Sequence, residues 1–546
     1  MRIVIVGGVA GGMSAAARAR RLSEDAEIVV LERGEHPSFA NCGLPYYVGG
    51  EIADRDDLLV QTPESLHAAL NLDVRVRHEV IGLDTASQTV RVRTDHGEHT
   101  LGYDALVLAP GAAAVRPPLP GLDSPRVRTL RTVGDAVALR ESVEHGAARA
   151  VVLGAGFIGL EAAEGLRRQG LAVDVVELAP HVLPPLEPEI AGPVRAELEH
   201  LGIVVHDGIA ATAIEPGPGA DTVLLADGTA LPADLIVLSV GVRPDTAVFA
   251  AAGVATERGA IVVDEHGRTG VPRVWAVGDA TVATDPVTGL RRPVALAGPA
   301  NRAGRLVADD ILAPGSARPI PPPLGTAIVR VGGLTAALTG AGRPALTAAG
   351  IDFHTVHLHP GSHAGYFPGA EPIHLLIHFR AGDGLLLGAQ AVGADGVDKR
   401  IDVLSTALAA RMTAPELIDL DLAYAPPYGS AKDPVNLAGM IAENVLGGEL
   451  RLWYAGDDPD PDALLLDVRT PDEVAGDRLP GALTVPHTRI RERLAEIVEV
   501  ADGRPVRVYC ASGMRSYLAC RILTAAGLDA ASLSGGLLTY RALHPA

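Results

Sequence analysis

The stretch AVVLGAGFIGLEAAEGLRRQGLAVDVVEL, residues 150–178, decides the fold. An apolar run ends in Gly154-Ala-Gly156-Phe-Ile-Gly159, a helical stretch follows, and a second apolar run closes on Glu177. Glycines at this spacing allow a tight turn and bring the backbone close to a pyrophosphate at the helix N-terminus. Glu177 stands eighteen residues past Gly159, where a carboxylate accepts hydrogen bonds from an adenosine ribose. Alone, G-x-G-x-x-G is a weak signal. The strand before it, the helix after it and the acid beyond make it a dinucleotide site. Leu178, not arginine, follows Glu177, which favours NADH over NADPH because a carboxylate repels a 2′-phosphate.

The same unit occurs at the N-terminus as RIVIVGGVAGGMSAAARARRL (2–22), followed by AEIVVLE ending in Glu32. Its glycines are Gly7, Gly11 and Gly12, with Val9 where the second glycine of the motif belongs. Two copies in one chain imply two nucleotides, FAD in the first and a nicotinamide in the second. VWAVGDA (274–280) resembles the flavoprotein element whose aspartate, here Asp279, binds the ribityl chain.

At 546 residues the chain has room for three or four domains, and 48% hydrophobic against 21% charged residues describes a soluble globular protein. A net charge of −20 argues against nucleic acid, which needs a basic field. No apolar run approaches the ~20 residues of a membrane span. The start MRIVIVGG reads as a strand rather than a leader, and three cysteines do not make a disulfide scaffold. The expected compartment is the reducing cytoplasm.

SFANCGLPYYVGG, residues 38–50, holds Cys42, the only cysteine before Cys510. With the elements above, residues 1 to about 445 resemble the pyridine-nucleotide-disulfide oxidoreductase superfamily. The motif S-F-x-x-C-G, here Ser38, Phe39, Cys42 and Gly43, resembles its single-cysteine branch. The resemblance implies that Cys42 makes its redox bond outside its own subunit. Two chemistries stay open: a sulfenic acid, as in NADH peroxidases and oxidases, or a mixed disulfide, as in coenzyme A-disulfide reductases and their persulfide-reducing relatives. Ala10 stands where the peroxidase and oxidase relatives carry histidine, which disfavours the first.

The resemblance further implies coenzyme A contacts at Arg18, Arg21, Ser38, Asn41 and Tyr428. Arg18 and Arg21 share a helix face. SHAGYFPGA (362–370) and DLAYAPPYGSAKDPVN (421–436) resemble the family's two tyrosine motifs, so Tyr366 and Tyr424 are expected to reach the cysteine from the partner of a homodimer. Ala69-Leu70 departs from relatives that carry a basic residue there. Cys42 is expected to be held as thiolate by a helix N-terminus.

The tail contains LLLDVRTPDEV (464–474) and VRVYCASGMRSYLAC (506–520), which resemble the rhodanese fold. Four residues separate Cys510 from Arg515, a loop suited to sulfur, whereas phosphatase relatives have five. Loop N–H groups would stabilise a thiolate or persulfide, Arg515 would add positive charge, and Ser516 is expected to cap the following helix. Asp467 and Arg469 read as a structural pair and Cys520 as core. His354, His357, His359 and His363 do not form a closed ligand set, and no metal is expected.

The expectation is therefore an α/β fold class with two Rossmann-like domains: FAD at 1–112 and 241–320, NAD(P)H at 113–240. An α+β dimerisation domain (321–447), a linker (448–458) and a rhodanese domain (459–546) follow. The implied activity is NAD(P)H-driven reduction of coenzyme A persulfide or polysulfide, with plain coenzyme A-disulfide reduction or oxidase chemistry as alternatives.

Overall fold

The computed structural model describes residues 1–457 and 460–544. Two compact units are present: Met1–Val182 with Leu198–Gly325, and Leu183–Glu197 with Thr326–Ala546. The expected boundary at 458/459 and the last two residues of the expected rhodanese domain lie outside the described residues.

The first unit contains two five-stranded parallel sheets. In one, strands run in the order Val274–Ala276, Ala105–Leu108, Arg2–Val6, Glu27–Leu31, Asp73–Arg75. In the other the order is Ile203–His206, Ala172–Val176, Arg149–Leu153, Leu235–Leu238, Val127–Arg128. Parallel strands are covered on both faces, which is why IVIV and AVVL read as unbroken apolar runs, every residue of them buried. Helix Ala10–Leu22 lies against helix Ala297–Leu312 through small residues. A Cβ on Gly304 would sit 2.1 Å from the Gly11 carbonyl oxygen. Arg20, one residue from the expected coenzyme A face, is buried and donates to the carbonyls of Ser23, Glu24, Ala26, Leu70 and Asn71. It fastens the helix end to the segments that lead into strands Glu27–Leu31 and Asp73–Arg75.

The second unit has an antiparallel sheet ordered Ala327–Val331, Leu334–Gly340, Leu386–Gly393, Ile373–Arg380, Phe353–Leu358, with helices Val397–Ala409 and Pro434–Leu446. A parallel sheet follows, ordered Leu452–Trp453, Ala530–Leu533, Val506–Tyr509, Leu464–Asp467, Leu483–Thr484. Residues 448–458, expected as a linker, contribute the first of these strands, which pairs with Ser532 and Leu533. Asp467 and Arg469 form a buried pair at 2.7 Å.

Glu187 and Glu189, at the start of helix Pro188–His200, are buried within this second unit. Glu189 accepts from His357 Nε2 at 2.9 Å and from Arg343 Nη2 at 2.5 Å. Glu187 accepts the Arg343 main-chain N–H at 2.7 Å. Burial acts to raise both carboxyls, but His378 and Arg343 outweigh it at Glu187, and His357 and Arg343 hold Glu189 at about 2. A carboxylate depressed by folding stabilises the fold above its unfolded pKa, and the contribution is lost as pH falls toward the folded value. The second unit is therefore expected to lose stability between the ordinary glutamate range and about pH 2. Glu189→Gln should flatten that profile, read from thermal melts across the acid range. An unchanged profile in the variant would refute the assignment.

Candidate active site

In both dinucleotide turns glycine is required by contact with the turn's own backbone. A Cβ on Gly12 would sit 1.9 Å from the Gly7 carbonyl oxygen, and one on Gly159 would sit 2.0 Å from that of Gly154. Gly7 and Gly154 have φ of +98° and +100°. Gly156 differs, because a Cβ there meets no protein atom within 4 Å, which leaves the open approach that a pyrophosphate needs. Gly11 serves packing, its missing Cβ lying 2.9 Å from Val277. Neither helix that follows has a side-chain cap, so the first-turn N–H groups of Ala10–Leu22 and Phe157–Arg168 remain for phosphate.

The two acids repeat one another. Glu32 accepts the N–H groups of Gly8 and Gly34 at 2.7 Å each, and Glu177 accepts those of Ala155 and Ala179 at 2.7 and 2.8 Å. Two main-chain bonds aim each carboxylate along its turn, and its remaining lone pairs suit ribose hydroxyls. These residues fit FAD and a nicotinamide dinucleotide. Asp279, in the turn Gly278–Ala280, lies 4.0 Å from Arg131; burial pushes its carboxyl up against that cation.

Cys42 occupies the turn Asn41–Gly43 before the five-residue helix Leu44–Val48. Ser38, with φ of +51°, donates its N–H to the Gly8 carbonyl at 2.7 Å and so ties the cysteine segment to the first dinucleotide turn. The thiol is accessible. Desolvation by the surrounding protein, and then the Glu161 and Asp279 carboxylates, nevertheless push it up. Desolvation and these two carboxylates oppose the thiolate expected of a helix N-terminus. Glu161, on helix Phe157–Arg168, accepts from Tyr46 at 3.0 Å. Glu161→Gln is expected to move the pH profile of Cys42 alkylation to lower pH, measured with iodoacetamide on the oxidised enzyme. No shift would refute the carboxylate's influence.

In the second unit the Tyr366 and Tyr424 hydroxyls meet at 2.9 Å on an exposed surface, and this bond pushes the Tyr366 phenol up. Tyr428 is 72% exposed. The two tyrosine segments are joined by the Ala364 N–H on the Gly429 carbonyl at 2.9 Å and by Arg400. That buried guanidinium donates to the Ser362 carbonyl at 3.0 Å and to Asp433 at 2.8 Å.

Cys510 directly follows strand Val506–Tyr509 and is 1% exposed. Its sulfur receives the Gly513 N–H at 3.1 Å and lies 3.4 Å from Ser516 Oγ, which in turn accepts from Ser532 at 2.8 Å. Ser516 is therefore not the cap expected of it. Gly513, with φ of +100°, takes the cap position, and Ser516 sits in the first turn facing the thiol. Arg515 is bound by both oxygens of Glu473 at 2.7 Å, so its charge is balanced. Cys520 is buried in the core, where desolvation, then Cys510, pushes its thiol up to about 12.

Residues 1–304 match the family Pyridine nucleotide-disulphide oxidoreductase, 326–434 match its dimerisation domain, and 451–543 match the Rhodanese-like domain. A coenzyme A disulfide reductase of Staphylococcus haemolyticus is 35% identical over 450 residues, 81% of this chain and 100% of the relative. The chain belongs to the pyridine nucleotide-disulphide oxidoreductase family. Reduced Bacillus anthracis CoADR-RHD is a structural neighbour at TM-score 0.96 and 38% identity, covering 100% of this chain and 98% of that one. An NAD-dependent persulfide reductase of A. fulgidus follows at TM-score 0.93 and 36% identity, covering 99% and 100%.

Of the two arginines expected to contact coenzyme A in this oxidoreductase, only one is free of an ion pair among the described residues. Arg18 is paired with Asp309 at 2.6 Å, while Arg21 is exposed. Sequence reasoning missed Glu161, Arg400 and Glu473. Glu473 alone carried a local signal, the T-x-x-E box Thr470–Glu473 that closes the start of helix Pro471–Gly476. Among the described residues no group of three or more His, Cys, Asp or Glu is placed to hold a metal ion. No helix among them is long and apolar enough to cross a membrane.

Proposed function

We propose that this protein reduces coenzyme A persulfide, and more slowly coenzyme A disulfide, at Cys42 with NADH as reductant, and that Cys510 supplies the sulfane sulfur. The observation that carries the reading is the coexistence in one chain of two unlike sulfur sites. Cys42 is an accessible thiol and the only cysteine of its unit, whereas Cys510 is a buried thiol held by a loop N–H and a hydroxyl. A lone accessible cysteine closes its redox bond with an external sulfur. The relatives' names point to coenzyme A as its bearer.

FAD, when bound, supplies the path for two electrons from nicotinamide to the cysteine sulfur. Cys42 attacks the inner sulfur of coenzyme A persulfide, the sulfur–sulfur bond breaks, and hydrosulfide leaves with its electron pair. The Cys42–S–S–CoA bond so formed takes up two electrons and returns Cys42 and coenzyme A as thiolates. Tyr366 and Tyr424, offered by the partner of a homodimer, protonate the departing thiolate. Arg21, Ser38, Asn41 and Tyr428 hold coenzyme A, with Arg18 shared between it and Asp309. The Glu177 carboxylate followed by Leu178 selects NADH. The enzyme works in the cytoplasm, where thiols stay reduced.

The test is anaerobic NADH oxidation with coenzyme A persulfide and coenzyme A disulfide offered side by side. Faster turnover on the persulfide, with stoichiometric sulfide, supports the reading. Faster turnover on the disulfide makes the enzyme a thiol-maintenance reductase. Turnover confined to oxygen or peroxide would replace both.

A further inference from the structure

Strand Phe353–Leu358 is the edge of the antiparallel sheet. His357, in this strand, and His359, just past its end, both bond to the C-terminal domain. His359 Nε2 lies 2.9 Å from Thr539 Oγ1. The His357 main-chain N–H donates to Ser534 Oγ at 3.1 Å, and His357 Nδ1 lies 2.8 Å from the same oxygen. One assignment gives both ring nitrogens of His357 a partner. Ser534 Oγ accepts the main-chain N–H and donates to Nδ1, and Nε2–H donates to the Glu189 carboxylate at 2.9 Å. Ser534, His357 and Glu189 are all buried, so the array faces no solvent and binds no substrate.

Ser534 begins the turn Ser534-Gly535-Gly536, and that turn carries the main-chain clamp on the Cys510 loop. The Leu537 N–H donates to the Cys510 carbonyl at 2.8 Å, and the Leu538 N–H to that of Ala511 at 3.0 Å. The fit leaves no slack. A Cβ on Gly536 would lie 2.6 Å from the Cys510 carbonyl oxygen, and one on Gly535 would lie 2.8 Å from the His357 Cβ. Both glycines hold positive φ, +69° and +65°. A shift of the turn therefore moves Cys510 relative to its own cradle, the Gly513 N–H and the Ser516 hydroxyl.

We propose that His357, which lies outside the rhodanese-like domain, is a positioning residue for sulfur transfer at Cys510, acting through the Ser534 hydroxyl and oriented by Glu189. The inference rests on Cys510 being the sulfur-carrying cysteine.

The test uses the full-length holoenzyme with thiosulfate as donor and cyanide as acceptor. The Cys510 thiolate takes the outer sulfur of thiosulfate, and sulfite leaves with the electron pair of the broken bond. Cyanide then removes that sulfur as thiocyanate and restores the thiolate. Ser534→Ala, which removes one oxygen from the link, is expected to lower kcat about tenfold, in the range of lost supporting contacts, with KM for thiosulfate unchanged. His357→Ala should do the same. His357→Asn should restore most of the rate, because the asparagine Oδ1 can accept from Ser534, although the loss of the Glu189 bond lowers its Tm. Reduction of coenzyme A disulfide at Cys42 should match wild type in all three and reports folding. Wild-type kcat in Ser534→Ala and His357→Ala, or a loss that tracks Tm alone with no rescue by asparagine, would overturn the proposal. A wild-type enzyme whose sulfur transfer is absent, or survives Cys510→Ser, would instead overturn the reading of Cys510.

Discussion

Cys42→Ser is expected to lower NADH-driven reduction of coenzyme A persulfide and disulfide on the order of 10³-fold or more, the scale of losing a covalent nucleophile. Transfer from thiosulfate to cyanide at Cys510 should keep its wild-type rate. The reason is chemical. Serine Oγ cannot form the sulfur–sulfur bond through which two electrons reach the substrate, and no second cysteine of that unit can stand in. Anaerobic assay of both activities on one preparation checks this. Retained reductase turnover would remove Cys42 from the chemistry, and parallel loss of both activities would indicate a folding defect. Because Cys42 is pushed up by desolvation, Glu161 and Asp279, wild-type reduction should also rise with pH as the thiolate forms.

The second large effect is structural. Arg400→Met is expected to destabilise the second unit by about 3–5 kcal/mol, because it leaves the Asp433 carboxylate buried and stripped of its closest cation. Arg400 is 1% exposed and donates to Asp433, to the Ser362 carbonyl and to the Gly396 carbonyl. Lys399, 3.7 Å from Asp433, compensates only in part. Asp433 also caps helix Pro434–Leu446 by accepting the Val435 N–H at 3.1 Å. The substitution therefore loosens both segments that bring Tyr366 and Tyr424 together. A urea transition at lower concentration, with reduced reductase kcat, is the expected result. Asp433→Asn combined with Arg400→Met should recover part of the stability, since the buried charge is removed while the cap is kept. A single variant within about 1 kcal/mol of wild type would show that the pair contributes little net stability, as buried ion pairs sometimes do.

Where the sequence was legible, the signal was local. The glycine spacings and the acids at Glu32 and Glu177 identified the two nucleotide turns, and the lone Cys42 in its motif marked the thiol proposed for the redox step, because each is a constraint on a dozen contiguous residues. The length of the loop from Cys510 to Arg515 was legible for the same reason. Nothing local marked Glu161 as a neighbour of Cys42. The two lie more than a hundred residues apart, and only the packing around helix Phe157–Arg168 puts that carboxylate's field on the thiol. The expectation of a dipole-stabilised thiolate took no account of these groups, because a pKa depends on everything that surrounds the group. Ser516 was misread as a cap because the left-handed Gly513 holds that position, a matter of backbone φ.

The fold class, the order of the parts and the two nucleotide turns were thus readable from the chain alone, since these are written in short-range spacing and chemistry. The tertiary structure alone decided the environment of each sulfur. The carboxylates near Cys42 and the Glu473 oxygens on Arg515 join residues far apart in the chain, as do the Arg400 clamp and the His357–Ser534 bond. Such long-range pairs depend on packing, which no local pattern encodes.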